Sequence, residues 1–402
     1  MLKKLIALLM AMLLTLTCFI ACSKDNEEAE TVEDTETETE TEPVDEEEPP
    51  AERVIPERFK LTSATKGVKV LGVRNLSADN YLRLDWSCSG VEFAVDLKEG
   101  NIRFNFTTVG SCNLRIWVDG EEYTKNDNPY FVVSSTYNQI TLNDIEAGKH
   151  VIKLVKVNDY LMSRITLDAV TFAGSLLEEE IGSENNRYIE FIGEDLTAGL
   201  GNIGEHGTTF ESQDGTLTYA YMLAEAVKAD YSITAMPGQG LLAGNPGVAN
   251  AYKYASPSVD TETEYSFARK ADLVVVDVGT NDFAKEINEA EFKAAYLELL
   301  ETIREKNGAA CNILCIYNAV NDTHKNAILA ACSEFGGEAE GVYTFELTRA
   351  VGATPTAEEQ AAYANALKTK VEELSVPFTP TFGAVSSGDG DKDFIDWNTA
   401  NS

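Results

Sequence analysis

Apolar residues recur along this chain with two different periods, and the change of period falls near its middle. Between about Val54 and Gly174 the pattern is one of short alternating runs rich in β-branched and aromatic residues, broken by turn residues. The runs are Val68 to Val73, Tyr81 to Trp86, Val91 to Leu97, Asn101 to Thr107, Asn113 to Val118, Phe131 to Ser134, His150 to Val157 and Ile165 to Phe172. Asp119-Gly120 between two of them is a hairpin turn signal. Short strands at this spacing predict a β jelly-roll sandwich, here residues 56–175. From Arg187 the pattern becomes apolar strands alternating with amphipathic helices. Tyr188 to Ile192, Ser232 to Ala235, Leu273 to Val278, Asn312 to Tyr317 and Val342 to Phe345 read as strands. Phe292, Tyr296, Leu299 and Ile303 share one face of a helix over Glu289 to Lys306, and similar stripes run through Thr216 to Lys228, Thr323 to Phe335 and Ala357 to Leu374. That alternation predicts a flavodoxin-like three-layer α/β domain over residues 187–375, followed by a carboxyl-terminal extension, 376–402. Its ligand site is expected at the carboxyl ends of the strands.

The amino terminus follows neither period. Lys3 and Lys4 precede an apolar run from Leu5 to Ile20 that is short beside the roughly 20 residues of a membrane span, and Ala21 precedes Cys22. Residues 1–22 resemble a bacterial lipoprotein signal cleaved before a lipidated Cys22, which makes the folded part extracytoplasmic and lipid-anchored. Residues 23–55, largely Asp and Glu separated by Thr, Pro and Ala, read as a disordered acidic tether. This tract carries much of the formal charge of −34, while 44% hydrophobic residues mark the rest as ordinary globular protein. Without a cluster of Lys and Arg, nucleic acid is excluded as a partner.

Cysteine and histidine spacing offers no metal or cofactor site. Cys311 and Cys315 read as small buried hydrophobes, and a Cys88 to Cys112 disulfide is left open. Asp389-Gly390-Asp391-Lys392-Asp393 lacks the downstream Glu of a calcium loop and reads as solvated. Trp86, Trp117 and Tyr130 are core residues before they are sugar platforms.

The order Gly72-Val73-Arg74, Leu84-Asp85-Trp86-Ser87-Cys88-Ser89-Gly90-Val91-Glu92-Phe93, Val118-Asp119-Gly120 and Ala147-Gly148-Lys149-His150 resembles the amino-terminal jelly roll of family 2 carbohydrate esterases. His150, before a strand, reads as structural. The second half resembles the SGNH hydrolases, whose catalytic groups occupy short blocks after successive strands. Phe191-Ile192-Gly193-Glu194-Asp195-Leu196-Thr197 stands against the family's Gly-Asp-Ser-Ile-Thr, so the resemblance places Asp195 where the nucleophilic Ser belongs. Pro237-Gly238-Gln239-Gly240-Leu241 and Gly279-Thr280-Asn281-Asp282 match the blocks that supply oxyanion donors, the Gly238 amide and the Asn281 side chain. The same likeness marks Gly193, Gly240 and Asp282 as walls of the ligand site. Gly352-Ala353-Thr354-Pro355 meets the family's Asp-x-His-Pro with Gly352 for the Asp and Thr354 for the His; a rival alignment on Asp396-Trp397-Asn398 lacks His as well. The other histidines, His206 in the loop after the first block and His324 at a helix start, do not replace a base presented before the last helix.

A serine esterase needs a hydroxyl activated by a base and donors aimed at the oxyanion that forms. An ionised Asp195 opposes that chemistry, yet the same donors can hold a carboxylate at that turn. Two function classes follow. The first is an impaired acetylxylan or carbohydrate esterase acting as a carbohydrate-binding or cell-surface scaffold module, with a xylan-, mannan- or glucan-type polysaccharide or a cell-surface protein as partner. The alternative is an active SGNH-type deacetylase or hydrolase with a rewired site, in which Glu194, Asp195 and Asp282 offer carboxylates.

Overall fold

Alternation of core and solvent positions carries the first half of the chain into strands, as Phe93, Val95 and Leu97, then Ile102, Phe104 and Phe106, turn to one interior. In the computed structural model the described residues run from 54 to 374, apart from 73–79, 179–180, 182–186, 205–206, 246, 257–263, 319–320 and 350–353. Signal, tether and carboxyl-terminal extension, with Cys22 and Asp389 to Asp393, lie outside them.

Ten strands build the jelly roll: β1 (Glu57–Phe59), β2 (Val68–Leu71), β3 (Leu82–Leu84), β4 (Gly90–Gly110), β5 (Cys112–Val118), β6 (Glu121–Glu122), β7 (Phe131–Val133), β8 (Gln139–Leu142), β9 (Gly148–Lys156) and β10 (Ser163–Leu176). The sequence pattern divides β4 into two strands, whereas the structure runs one 21-residue strand through Lys98-Glu99-Gly100. The first half of β4 pairs with β2 and β9 and its second half with β8, while β10 runs along both halves. Cys88 and Cys112 are both free buried thiols, so the disulfide left open by the sequence is not formed. His150 bridges the Asp119 carboxylate at 2.7 Å and the Glu146 carbonyl at 2.8 Å, a structural clasp on the β9 lead-in.

The second half is a parallel sheet of β11 (Tyr188–Gly193), β12 (Asp230–Ala235), β13 (Leu273–Asp277), β14 (Asn312–Tyr317) and β15 (Val342–Glu346), in the order β12-β11-β13-β14-β15. Ile313 and Cys315 face one layer of helices while Leu314 and Ile316 face the other, which is why these strands read as continuous apolar runs. On the first face lie α5 (Glu289–Asn307) and α6 (Asp322–Phe335), and on the second α2 (Tyr219–Ala226) and α7 (Ala357–Glu373). Short helices α1 (Asp195–Ala198), α3 (Val248–Tyr252) and α4 (Thr280–Ala284) follow β11, β12 and β13. Asn288 caps α5 by accepting from the Ala290 and Glu291 amides, and Thr356 and Glu359 form a reciprocal capping box on α7.

The two layer systems meet through a polar seam. Lys156, fully buried, donates to the carbonyls of Asp85, Asn158 and Asp159 at 3.0, 2.6 and 3.0 Å, using all three ammonium hydrogens to shape the loop after β9. From that loop Asn158 donates to the Phe210 and Gln213 carbonyls, and the Asp159 carboxylate accepts from Gln213 at 2.7 Å. Gly215 allows close approach, since a Cβ there would lie 2.1 Å from the Ser87 hydroxyl. Trp86 is 1% exposed and donates its indole N–H to the Ala255 carbonyl, Tyr130 donates to Asp214, and Trp117 stacks beneath Arg115 and Lys153. All three candidate platform aromatics thus belong to the seam.

At its centre Asp214 is fully buried. Burial pushes its carboxyl up, opposed by the Arg115 charge at 3.2 Å and by the Thr216 and Tyr130 hydroxyls. Removing one partner strands the other in a low-dielectric interior. Arg115→Ala is therefore expected to lower the unfolding free energy by about 3 kcal/mol, read from urea midpoints at constant slope. A loss below about 1 kcal/mol, the range of an exposed pair, would show that the seam does not depend on this contact.

Candidate active site

The loops that leave β11, β12 and β13 meet at the carboxyl edge of the parallel sheet and are tied together by three carboxylates. Directly after β11, Glu194 turns inward and is buried, its Oε1 accepting the Gly279 amide at 2.5 Å and its Oε2 accepting the Asn281 amide at 2.9 Å and the Asn281 side-chain Nδ2 at 3.0 Å. Burial pushes the Glu194 carboxyl well above the usual carboxylate range; the two backbone donors pull against it, and Asp282 and Asp277 add to the rise. The turn that Glu194 holds needs glycine: Gly279 has a φ of +114°, and a Cβ would lie 2.6 Å from the His324 ring.

Asp195 follows as the first residue of α1 and points the other way, into a cleft. Its Oδ1 accepts the Gly238 amide at 3.0 Å, and its Oδ2 accepts the Asn281 Nδ2 at 2.5 Å. The Asn281 amide group also faces the Gln239 carbonyl at 3.2 Å, so its two hydrogens are divided among three acceptors. Gly238 reaches its place because it adopts a φ of +70° in the turn after β12.

Asp282 is the third tie. Fully buried, it accepts the amides of Leu241, Leu242 and Ala243 at 2.7, 2.8 and 2.8 Å and so sets the loop that presents Gly238. The likeness to known blocks makes Gly193, Gly240 and Asp282 ligand walls, but the structure places all three in packing positions away from the cleft lining. A Cβ on Gly193 would lie 1.9 Å from the Thr197 hydroxyl, and one on Gly240 would lie 2.4 Å from the Asp282 carboxylate. These glycines are small because neighbours press on them, a signal that in sequence is indistinguishable from an open wall.

The cleft has a volume of about 370 Å³. Asp195, Asn281 and Thr354 line it together, with Thr354 reaching it from the lead-in to α7. Gly352 and His206 lie outside the described residues. His324 also lines the cleft, but its Nε2–H donates to the Val278 carbonyl at 2.9 Å while its Nδ1 faces the Asn318 amide at 3.4 Å. Burial lowers its pKa, and both ring nitrogens are engaged. The lining contains no Ser or Cys among the described residues.

The floor of the cleft carries no motif in the sequence. Arg349, buried just after β15, meets the Asp277 carboxylate through Nη2 at 2.9 Å and Nη1 at 3.2 Å, and also donates to the Thr280 hydroxyl at 3.0 Å. Asn318 braces Arg349 by donating to its carbonyl at 2.9 Å. The available signal was an acid closing an apolar strand and an arginine following another, each too near a strand end to be solvated cheaply. Among the described residues no group of His, Cys, Asp and Glu could hold a metal ion.

The chain is similar to several known proteins. Over 260 residues, 62% of this chain and 31% of the relative, the sequence is 27% identical to the cellulase/esterase CelE of Acetivibrio thermocellus. Over 153 residues, 33% of this chain and 42% of the relative, it is 26% identical to the acetylxylan esterase / glucomannan deacetylase of Cellvibrio japonicus. The chain therefore spans less than half the length of either. The fold is shared with a family 2 carbohydrate esterase from Clostridium thermocellum solved with cellohexaose, at a TM-score of 0.68 and 23% identity over 77% of this chain and 100% of that one. It is shared also with a family 2 carbohydrate esterase from Cellvibrio japonicus, at a TM-score of 0.69 and 15% identity over 81% and 99%. The model of the GDSL-like Lipase/Acylhydrolase family matches residues 191–397, more than half of the chain and all three tied loops, so the chain belongs to that family.

Proposed function

We propose that this chain is a cell-surface lipoprotein whose esterase centre is catalytically silent and whose cleft serves as a polysaccharide-binding module. One observation carries the reading: the Asp195 carboxylate accepts the two donors, Gly238 N–H and Asn281 Nδ2–H, that an acyl-transfer site of this kind aims at the developing oxyanion. A negative charge already fills the place where negative charge would have to form, and no unpaired hydrogen of Asn281 remains to receive another. Attack by Asp195 itself would give a mixed anhydride in place of a hydrolysable acyl-serine. His324, held at both ring nitrogens, is not placed to act as base. The glycan assignment draws on the relatives, one named for acetylxylan and glucomannan and one solved with cellohexaose.

Esterase assays on acetylated xylan and an acetyl reporter ester are expected to read background for the wild type. Loss of a nucleophile or its base typically costs about 10⁴ to 10⁶ in turnover, and the members act as a unit. Asp195→Ser alone is expected to stay inactive, whereas Asp195→Ser with Thr354→His and Gly352→Asp recovers a trace of activity. Wild-type turnover abolished by Asp195→Ala or His206→Ala would instead establish a rewired deacetylase.

The lipoprotein part of the reading rests on the signal-like residues 1–22 and the acidic tract behind them. Mass spectrometry of membrane-extracted protein is expected to find a mature chain beginning at a diacylglyceryl-modified Cys22. An intact Met1 or a bare Cys22 thiol would remove the anchor.

A further inference from the structure

The way Asp195 is held specifies which form of a glycan the cleft accepts. We propose that Asp195 reads unsubstituted neighbouring hydroxyls of a neutral sugar and that the cleft rejects the same sugar when it is acetylated. This rests on the cleft being a glycan site and names the chemistry that the site selects.

A carboxylate has about four acceptor positions, two on each oxygen. The protein fills one on Oδ1 with the Gly238 amide and one on Oδ2 with Asn281 Nδ2, which fixes the plane of the group without exhausting it. The remaining positions belong to a half-buried side chain that lines the cleft. Two adjacent sugar hydroxyls offer a matching pair of O–H donors, and hydrogen bonds to an ionised acceptor are the stronger kind. Because the group is pre-aimed, little conformational freedom is lost on binding.

An acetyl ester offers the opposite chemistry. Esterifying a hydroxyl removes its donor and adds a carbonyl, which only accepts. The donors that would receive that carbonyl are engaged by Asp195, and Asn281 is further divided between Glu194 and Gln239. The carbonyl would enter a partly desolvated cleft facing a negative charge, with its own hydrogen-bonding capacity unmet. An acidic sugar fares no better. Asp195 and Asp277 line the cleft, and the guanidinium that faces them, Arg349, is bound to Asp277. A family member with serine at this turn would treat the acetylated sugar as substrate; with Asp195 the deacetylated product becomes the ligand.

The test is calorimetry on the full chain with xylotetraose and mannotetraose, each in unsubstituted and mono-acetylated form. The unsubstituted sugars are expected to bind about tenfold more tightly, the weight of one charge-assisted hydrogen bond. Asp195→Asn keeps the shape but replaces one acceptor oxygen with a donor, and is expected to lose about tenfold for the unsubstituted sugar. Asp195→Ser frees the oxyanion donors and is expected to narrow or invert the ratio. Equal or tighter binding of the acetylated sugars by the wild type would overturn the inference while leaving the glycan reading intact. A preference unchanged in a folded Asp195→Asn or Asp195→Ser variant, judged by its melting temperature, would overturn it too. Absence of binding to all four sugars would bring down the glycan reading and this inference with it.

Discussion

Backbone amides in the loops after β12 and β13 converge at the carboxyl edge of the parallel sheet, and the buried N–H groups among them must find acceptors. Glu194 and Asp282 are those acceptors, and Asp195 accepts the exposed Gly238 amide beside them. Glu194 fastens the Gly279 to Asn281 turn, Asp282 fastens the Leu241 to Ala243 loop, and Asp195 spans the gap between Gly238 and Asn281. Three adjacent loops are thereby fixed by side chains from only two of them.

This arrangement has a chemical consequence. Donors that converge on one point stabilise negative charge there, whatever its origin. In acyl transfer such charge is transient and belongs to the substrate; here the Asp195 carboxylate of the chain itself sits on the donors. The His324 imidazole is used as a spacer between Val278 and Asn318, and the buried ion pair of Arg349 with Asp277 lies at the floor. The jelly roll supports the cleft from behind. Gln213, gripped by Asp159 and donating to the Ala198 carbonyl, ties the seam directly to the helix that begins at Asp195.

Much of this was legible in the sequence, for identifiable reasons. The five parallel strands stand out because residues buried on both faces leave continuous apolar runs, and α5 because Phe292, Tyr296, Leu299 and Ile303 hold one face. Asp195, Gly238 and Asn281 were found as a set because short motifs after strands survive as blocks. The jelly roll was less transparent. Its longest strand, β4, looks like two because Lys98-Glu99-Gly100 carries a turn-like composition, and β1, β6 and β8 are too short to show a period. What the sequence could not convey is direction. Glu194 and Asp195 are neighbours, yet one is a buried staple and the other faces the cleft, and only the start of α1 between them decides which. Gly193, Gly240 and Asp282 were misplaced for the same reason, since a glycine crowded by a side chain and a glycine lining a cavity are written alike.

Residence of the Asp195 carboxylate on the Gly238 and Asn281 donors in solution is read by a pH titration by NMR that follows the Asp195 side-chain carboxyl carbon and the Gly238 amide proton in the same sample. If the carboxylate accepts that amide, the Gly238 proton shift moves in step with the Asp195 carboxyl, and Asp195→Ala abolishes the movement. A Gly238 shift that stays flat while Asp195 titrates, or that is the same in wild type and Asp195→Ala, would contradict the account.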